Sequence, residues 1–127
     1  MLRLPSSVRI FLATEPTDMR RGFDGLAAMV TARGQDVFSG HLFVFVSRRG
    51  DRVKVLTWDR GGFVLWYKRL EKGRFRLPEV NEDAETVELD GGQLAMLVDG
   101  VDMRRVRRSK VWEPITRRKG IDNRLRA

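Results

Sequence analysis

The spacing of apolar positions divides the chain into short segments. Val8 to Leu12 is β-branched and aromatic after a Pro-Ser-Ser entry, which predicts a first strand. Thr14 to Asp18, with Pro16, reads as a turn. From Phe23 the period changes: Phe23, Leu26, Ala27 and Val30 recur at i, i+3, i+4 and i+7, the stripe of an amphipathic helix. Gly34 is its expected stop. Asp18 is expected to cap it, its carboxylate accepting from free N–H groups of the first turn, or together with Asp24 to orient Arg20 and Arg21. Gly22 and Gly25 fall inside or just before this helix, and each weakens it by about 1 kcal/mol relative to Ala. Close backbone packing or contact with a ligand is the expected reason for them.

The middle of the chain reads as a β-meander. His41 to Ser47, Arg52 to Trp58 and Phe63 to Leu70 are strands, joined by Arg49-Gly50-Asp51 and by Asp59-Arg60-Gly61-Gly62. Short glycine-containing connections between apolar, aromatic runs are hairpin signals. Glu71 to Arg74 makes a further turn, and Phe75 to Leu77 is expected to extend the sheet. An acidic loop over residues 79–85 leads to a short strand, Thr86 to Leu89. Asp90 then caps a last helix, with Leu94, Leu97 and Val98 facing the core and Gly100 ending it. The fold class is therefore α+β: an antiparallel meander of four to five strands with two packed helices. One domain is expected over residues 1–103 and a basic tail, unstructured alone, over 104–127.

Composition narrows the function classes. The chain has 127 residues and is 42% hydrophobic, which suits one domain with a real core. Cysteine is absent, which removes disulfides, thiolate chemistry and Cys-based zinc sites, and makes a reducing cytoplasm the simplest compartment. The longest apolar stretches are too short to span a bilayer, so no membrane partner is expected, and the first residues lack the pattern of a secretory signal.

Charge is segregated. The net charge is +8, and residues 104–127 carry all of it. Within the neutral body, residues 48–76 sum to +7 and residues 77–103 to −8. Segregation of this kind suggests a partner, because solubility is served by interspersed charge.

The candidate chemistry follows from that segregation. The hairpins interleave Lys54, Trp58, Trp66, Lys68 and Arg69, with Arg48, Arg49, Arg52 and Arg60 in or beside the turns and Arg74 just beyond. Alternate strand residues share a face, so Lys54, Leu56 and Trp58 lie together, as do Val64, Trp66 and Lys68. A face mixing Trp with Lys or Arg could stack on bases while its cations meet phosphates. Equally, the tryptophans could cover core surface with basic stems lying over them. In the tail, Arg104, Arg105, Arg107, Arg108 and Lys110 suit phosphate neutralisation, and also suit solvation or an acidic protein surface. Trp112 there could stack on a base or dock on a partner.

Catalytic patterns are poor. The single histidine, His41, supports neither a triad nor a His-based metal cluster, and reads as structural. Asp18, Asp24, Asp59, Glu71 and Asp99 could in principle gather around Mg²⁺, but their spacing singles none of them out and caps and turns explain most. Neither GxxxxGK[ST] nor GxGxxG occurs, and no metal or cofactor is expected.

Several longer motifs are distinctive. They are Thr17-Asp18-Met19-Arg20-Arg21-Gly22-Phe23-Asp24-Gly25-Leu26, Phe38 to Phe45, Leu56-Thr57-Trp58-Asp59-Arg60-Gly61-Gly62-Phe63, Leu65 to Phe75, and Gln93 to Asp102. In order and spacing they resemble the Orf2-like, or TnpB-type, accessory protein of bacterial insertion sequences of the sixty-six family. The resemblance runs from about Val8 to Asp102. It implies a small protein that acts beside a separate transposase in transposition, and it brings no catalytic residue, cofactor or binding site. Asp18, Met19, Arg20, Gly22, Phe23, Trp58 and Asp59 are the motif residues it singles out. The combined expectation is a non-enzymatic protein that holds the DNA backbone at transposon ends through its basic hairpins and tail. The alternative is a module that docks the transposase or a host factor with little DNA contact.

Overall fold

The structure, a computed structural model, describes residues 7–79 and 83–99. Its elements run β1 (Ile10–Ala13), α1 (Phe23–Ala32), β2 (Leu42–Val46), β3 (Arg52–Asp59), β4 (Gly62–Arg69), β5 (Thr86–Leu89) and α2 (Gly91–Asp99). The strands form one sheet in the order β4-β3-β2-β1-β5. The fold is α+β and the sheet mostly antiparallel, with the β2-β3-β4 meander read from the turns.

One pair differs. β1 and β2 run parallel, Ile10 lying opposite Leu42. A parallel pair needs a crossover, and α1 supplies it. β1 also pairs antiparallel with β5, which places β1 and β2 inside the sheet. Every residue of both strands is buried. Strands covered on both faces read as unbroken apolar runs rather than alternating ones.

The sheet separates two apolar clusters. On one face Leu26 and Val30 of α1 pack with Phe11, Ala13, Phe43, Phe45 and Leu56. On the other, Leu94, Leu97 and Val98 of α2 pack with Ile10, Leu12, Val44, Val46, Val53 and Val55. Phe75 belongs to the second cluster, although Phe75 to Leu77 does not extend the sheet as expected. The Phe75 N–H donates to the Gly50 carbonyl at 2.7 Å, so the backbone bonds a turn and the ring plugs the core.

The helix starts divide. Asp90 and Gln93 form the expected cap of α2: Asp90 Oδ1 accepts the Gln93 N–H at 2.7 Å, and Gln93 Oε1 accepts the Asp90 N–H at 2.9 Å. Asp18 does not cap α1. The cap residue is Gly22, with no side-chain bond, and the Asp18 carboxylate instead takes the Arg20 N–H at 2.9 Å. Three residues of turn stand between Asp18 and that cap, so the nearer donors win. The β3–β4 turn carries Arg60 at φ 48° and Gly61 at φ 89°, two successive left-handed residues whose twist matches a tight hairpin. Gly100 and the tail lie outside the described residues.

Candidate nucleic-acid interface

The cations of the hairpins do not form one surface. Two of them turn inward. Lys54 is 6% exposed, and its ammonium donates to the Met19 and Arg21 carbonyls at 2.8 Å each, beneath the Tyr67 ring at 4.7 Å. It ties the segment before α1 to β3 and is not a surface cation. Lys68 donates to the Val98 carbonyl at 2.6 Å, holding the last turn of α2. Arg69 is exposed and pairs with Glu71 at 3.1 Å. Arg60 sits in the β3–β4 turn, at the opposite end of β3 from Arg48, Arg49 and Arg52.

The tryptophans divide as well. Trp58 packs edge-on against both Phe38 and Phe63, ring centres 5.0 Å away, so it covers the α1 side of the hairpin. Trp66 lies on the other face, 40% exposed, beside exposed Val64. Among the described residues no ring contact involves it.

The cations that do gather lie beyond the carboxyl ends of the parallel strands β1 and β2. Two clefts meet there. The first, about 400 Å³, is lined by Arg48, Arg49, Arg74 and Arg76, with Glu15 and Glu79. The second, about 530 Å³, is lined by Thr17, Arg20, Arg21, Arg33 and Arg48, with Glu15 and Asp18. Glu15, Pro16 and Arg48 belong to both. Arg20 is held by Asp18 through its Nε and a 2.7 Å ion pair. Hydrogen bonding from Arg20 keeps the Asp18 carboxyl well below the usual carboxylate range. Arg21, Arg33, Arg48, Arg49, Arg74 and Arg76 make no ion pair among the described residues. Arg52, at the start of β3, keeps its Nε buried without a partner.

Arg33 and Arg76 were not singled out by the sequence, and Thr17 entered only as the first residue of a motif, because positions so far apart in the chain meet only through the parallel pair and the Phe75 plug. The Arg20-Arg21 dipeptide inside the Thr17–Leu26 motif was the one available signal. Arg104, Arg105, Arg107, Arg108, Lys110 and Trp112 lie outside the described residues.

His41 Nδ1 accepts the Arg9 N–H at 3.0 Å, and the ring meets Phe11 edge-on. Among the described residues no three metal-ligating side chains come together, and no helix is long and apolar enough to cross a membrane.

Residues 8–108 match the family described as IS66 Orf2 like protein. The chain belongs to the IS66 Orf2-like family. Two relatives from Sinorhizobium fredii (strain NBRC 101917 / NGR234) align over most of their length. "Uncharacterized protein y4jC" is 40% identical over 108 residues, 84% of this chain and 91% of its own. "Uncharacterized protein y4hO" is 38% identical over 119 residues, 90% of this chain and 96% of its own. No solved structure matches. Membership implies an accessory part in insertion-sequence transposition, in a family not known for catalysis.

The motif residues of this Orf2-like protein acquire distinct places. Met19 gives its carbonyl to Lys54 and packs on the α1-side cluster. Asp18 and Arg20 shape the rim of the second cleft. Gly22 caps α1, Phe23 stands 47% exposed at its start, and Asp59 opens the hairpin turn below Trp58.

Proposed function

We propose that this Orf2-like protein is a non-catalytic, cytoplasmic accessory factor of transposition that holds the DNA backbone through its arginine-lined end. The observation that carries the reading is the convergence of Arg48, Arg49, Arg74 and Arg76 with Arg21 and Arg33 around two joined clefts, unpaired among the described residues. Guanidinium forks match phosphate oxygens, and neutralising a phosphate releases its counterions. The tail cations, Arg104, Arg105, Arg107, Arg108 and Lys110, add to the same grip.

The test is fluorescence anisotropy of a transposon-end duplex and a scrambled duplex with the full chain, across a salt series. Binding should weaken steeply, with a log–log slope of about −0.9 per phosphate neutralised. Gln at Arg48, Arg49 and Arg74 should flatten the slope, and Gln at the five tail positions should flatten it separately. Binding that ignores salt, or absence of binding at low salt, would overturn the reading.

A second reading is docking of the separate transposase or a host factor. It draws on β4, an eight-residue edge strand whose Val64, Trp66 and Tyr67 are exposed. An open strand edge is a template for another chain. Such an interface would change little with salt.

A further inference from the structure

We propose that the second cleft, behind Arg48, is a seat for one phosphate group. The inference rests on the DNA reading above and names the group that the basic end receives.

The first support is a pair of donors without acceptors. Thr17 is 4% exposed, fixed by its own N–H to the Val46 carbonyl at 2.9 Å. Its hydroxyl is buried and has no hydrogen-bond partner among the described residues. Arg33 reaches the Met29 carbonyl with one terminal nitrogen, at 3.4 Å, while its Nε is buried and unpartnered among the same residues. Buried polar groups are almost always paired, so two orphans on residues that line one cleft point to an acceptor that belongs beside them.

The second support is the charge of the lining. Arg20, Arg21, Arg33 and Arg48 face Glu15 and Asp18, a balance of two positive charges. That suits a phosphate group and rejects a metal cation.

The third support is preorganisation. Asp18 clamps the Arg20 guanidinium from both oxygens. Lys54 holds the Arg21 carbonyl, so the backbone carrying that arginine is anchored to β3. A planar fork held in place binds a tetrahedral oxyanion at a smaller entropic cost than a free side chain does. Exposed Arg60 at the far turn has no such setting, and it serves as the control.

The phosphate could be the terminal monoester of a DNA end or an internal diester, and the experiment separates the two. The ¹⁵N-labelled full chain is titrated with inorganic phosphate at constant ionic strength, reading the arginine Nε–Hε and Thr17 amide resonances. The expected result is a saturating shift confined to Thr17, Arg33 and the other lining arginines. Thr17→Val should weaken the midpoint by about tenfold, the value of a lost hydrogen bond to a charged group. Thr17→Ser should restore it, and Arg60→Gln should leave it unchanged. Shifts that never saturate and spread over every exposed arginine would mean an adventitious ion only, and would overturn the seat. A Thr17→Val midpoint equal to that of the parent would overturn it as well.

Competition by 5′-phosphorylated against 5′-hydroxyl oligonucleotides then assigns the source: a preference for the former marks a terminal phosphate, and equal competition an internal one. Salt-steep duplex binding without a seated phosphate would sink the seat and spare the DNA reading. A seated phosphate without duplex binding would do the reverse.

Discussion

Lys54 shows how much a single residue hides. Its place on the Leu56 and Trp58 face was legible from strand alternation, but its charge suggested a surface cation. The groups that accept its protons, the carbonyls of Met19 and Arg21, lie more than thirty residues away in sequence. No local pattern predicts them. Lys54→Met should leave both carbonyls without their donor and destabilise the protein by about 2 kcal/mol, read as a lower midpoint in urea unfolding. Asp18 offers a test of a different kind. Its carboxyl is lowered by the Arg20 bonds, so its contribution is present above the unfolded value of about 3.9 and fades only as pH falls through the lower native value. An NMR titration should therefore find Asp18 still ionised well below pH 4. In Arg20→Gln its midpoint should move back up towards that of an ordinary carboxylate.

At the scale of elements, locally coded features were the most readable. The β3–β4 hairpin was announced by Asp59-Arg60-Gly61-Gly62, and α2 by the Asp90 cap, to which the structure adds Gln93. Each can be challenged on its own. Gly61 sits at φ 89°, so Gly61→Ala should cost about 1 kcal/mol. Arg60, at φ 48°, is an L-residue in the same region, and Arg60→Asn should raise the thermal midpoint. Asp90→Ala removes a cap worth about 1 kcal/mol. It should speed hydrogen exchange in α2 while leaving the amides of β3 protected. The parallel pairing of β1 with β2 was not legible, because it depends on where α1 sets the chain down. The trace it left was negative: neither strand alternates, since both are buried on two faces.

For the whole molecule, the sum of charges in a segment proved a poor guide to its surface. The +7 of residues 48–76 is dispersed by the fold. Lys54 and Lys68 point inward, Arg60 goes to one end, and Arg48, Arg49, Arg74 and Arg76 go to the other. The grouping that results includes Arg20, Arg21 and Arg33 from outside that segment. If these arginines hold DNA, the two ends of the sheet must differ in effect. Arg60→Gln should leave the salt slope of duplex binding nearly unchanged. Each arginine removed from the clefts should lower the slope by about 0.9 where it meets a phosphate.

The central sheet has one more consequence. It keeps the packing of α1 and the packing of α2 in separate compartments, with strand backbone between them. Val30→Ala, under α1, and Val98→Ala, under α2, share no partner in either cluster. Their unfolding penalties should add to within about 0.5 kcal/mol in a double-mutant cycle. A sequence drifting at one helix then imposes no repair at the other. The two layers are free to diverge at their own rates.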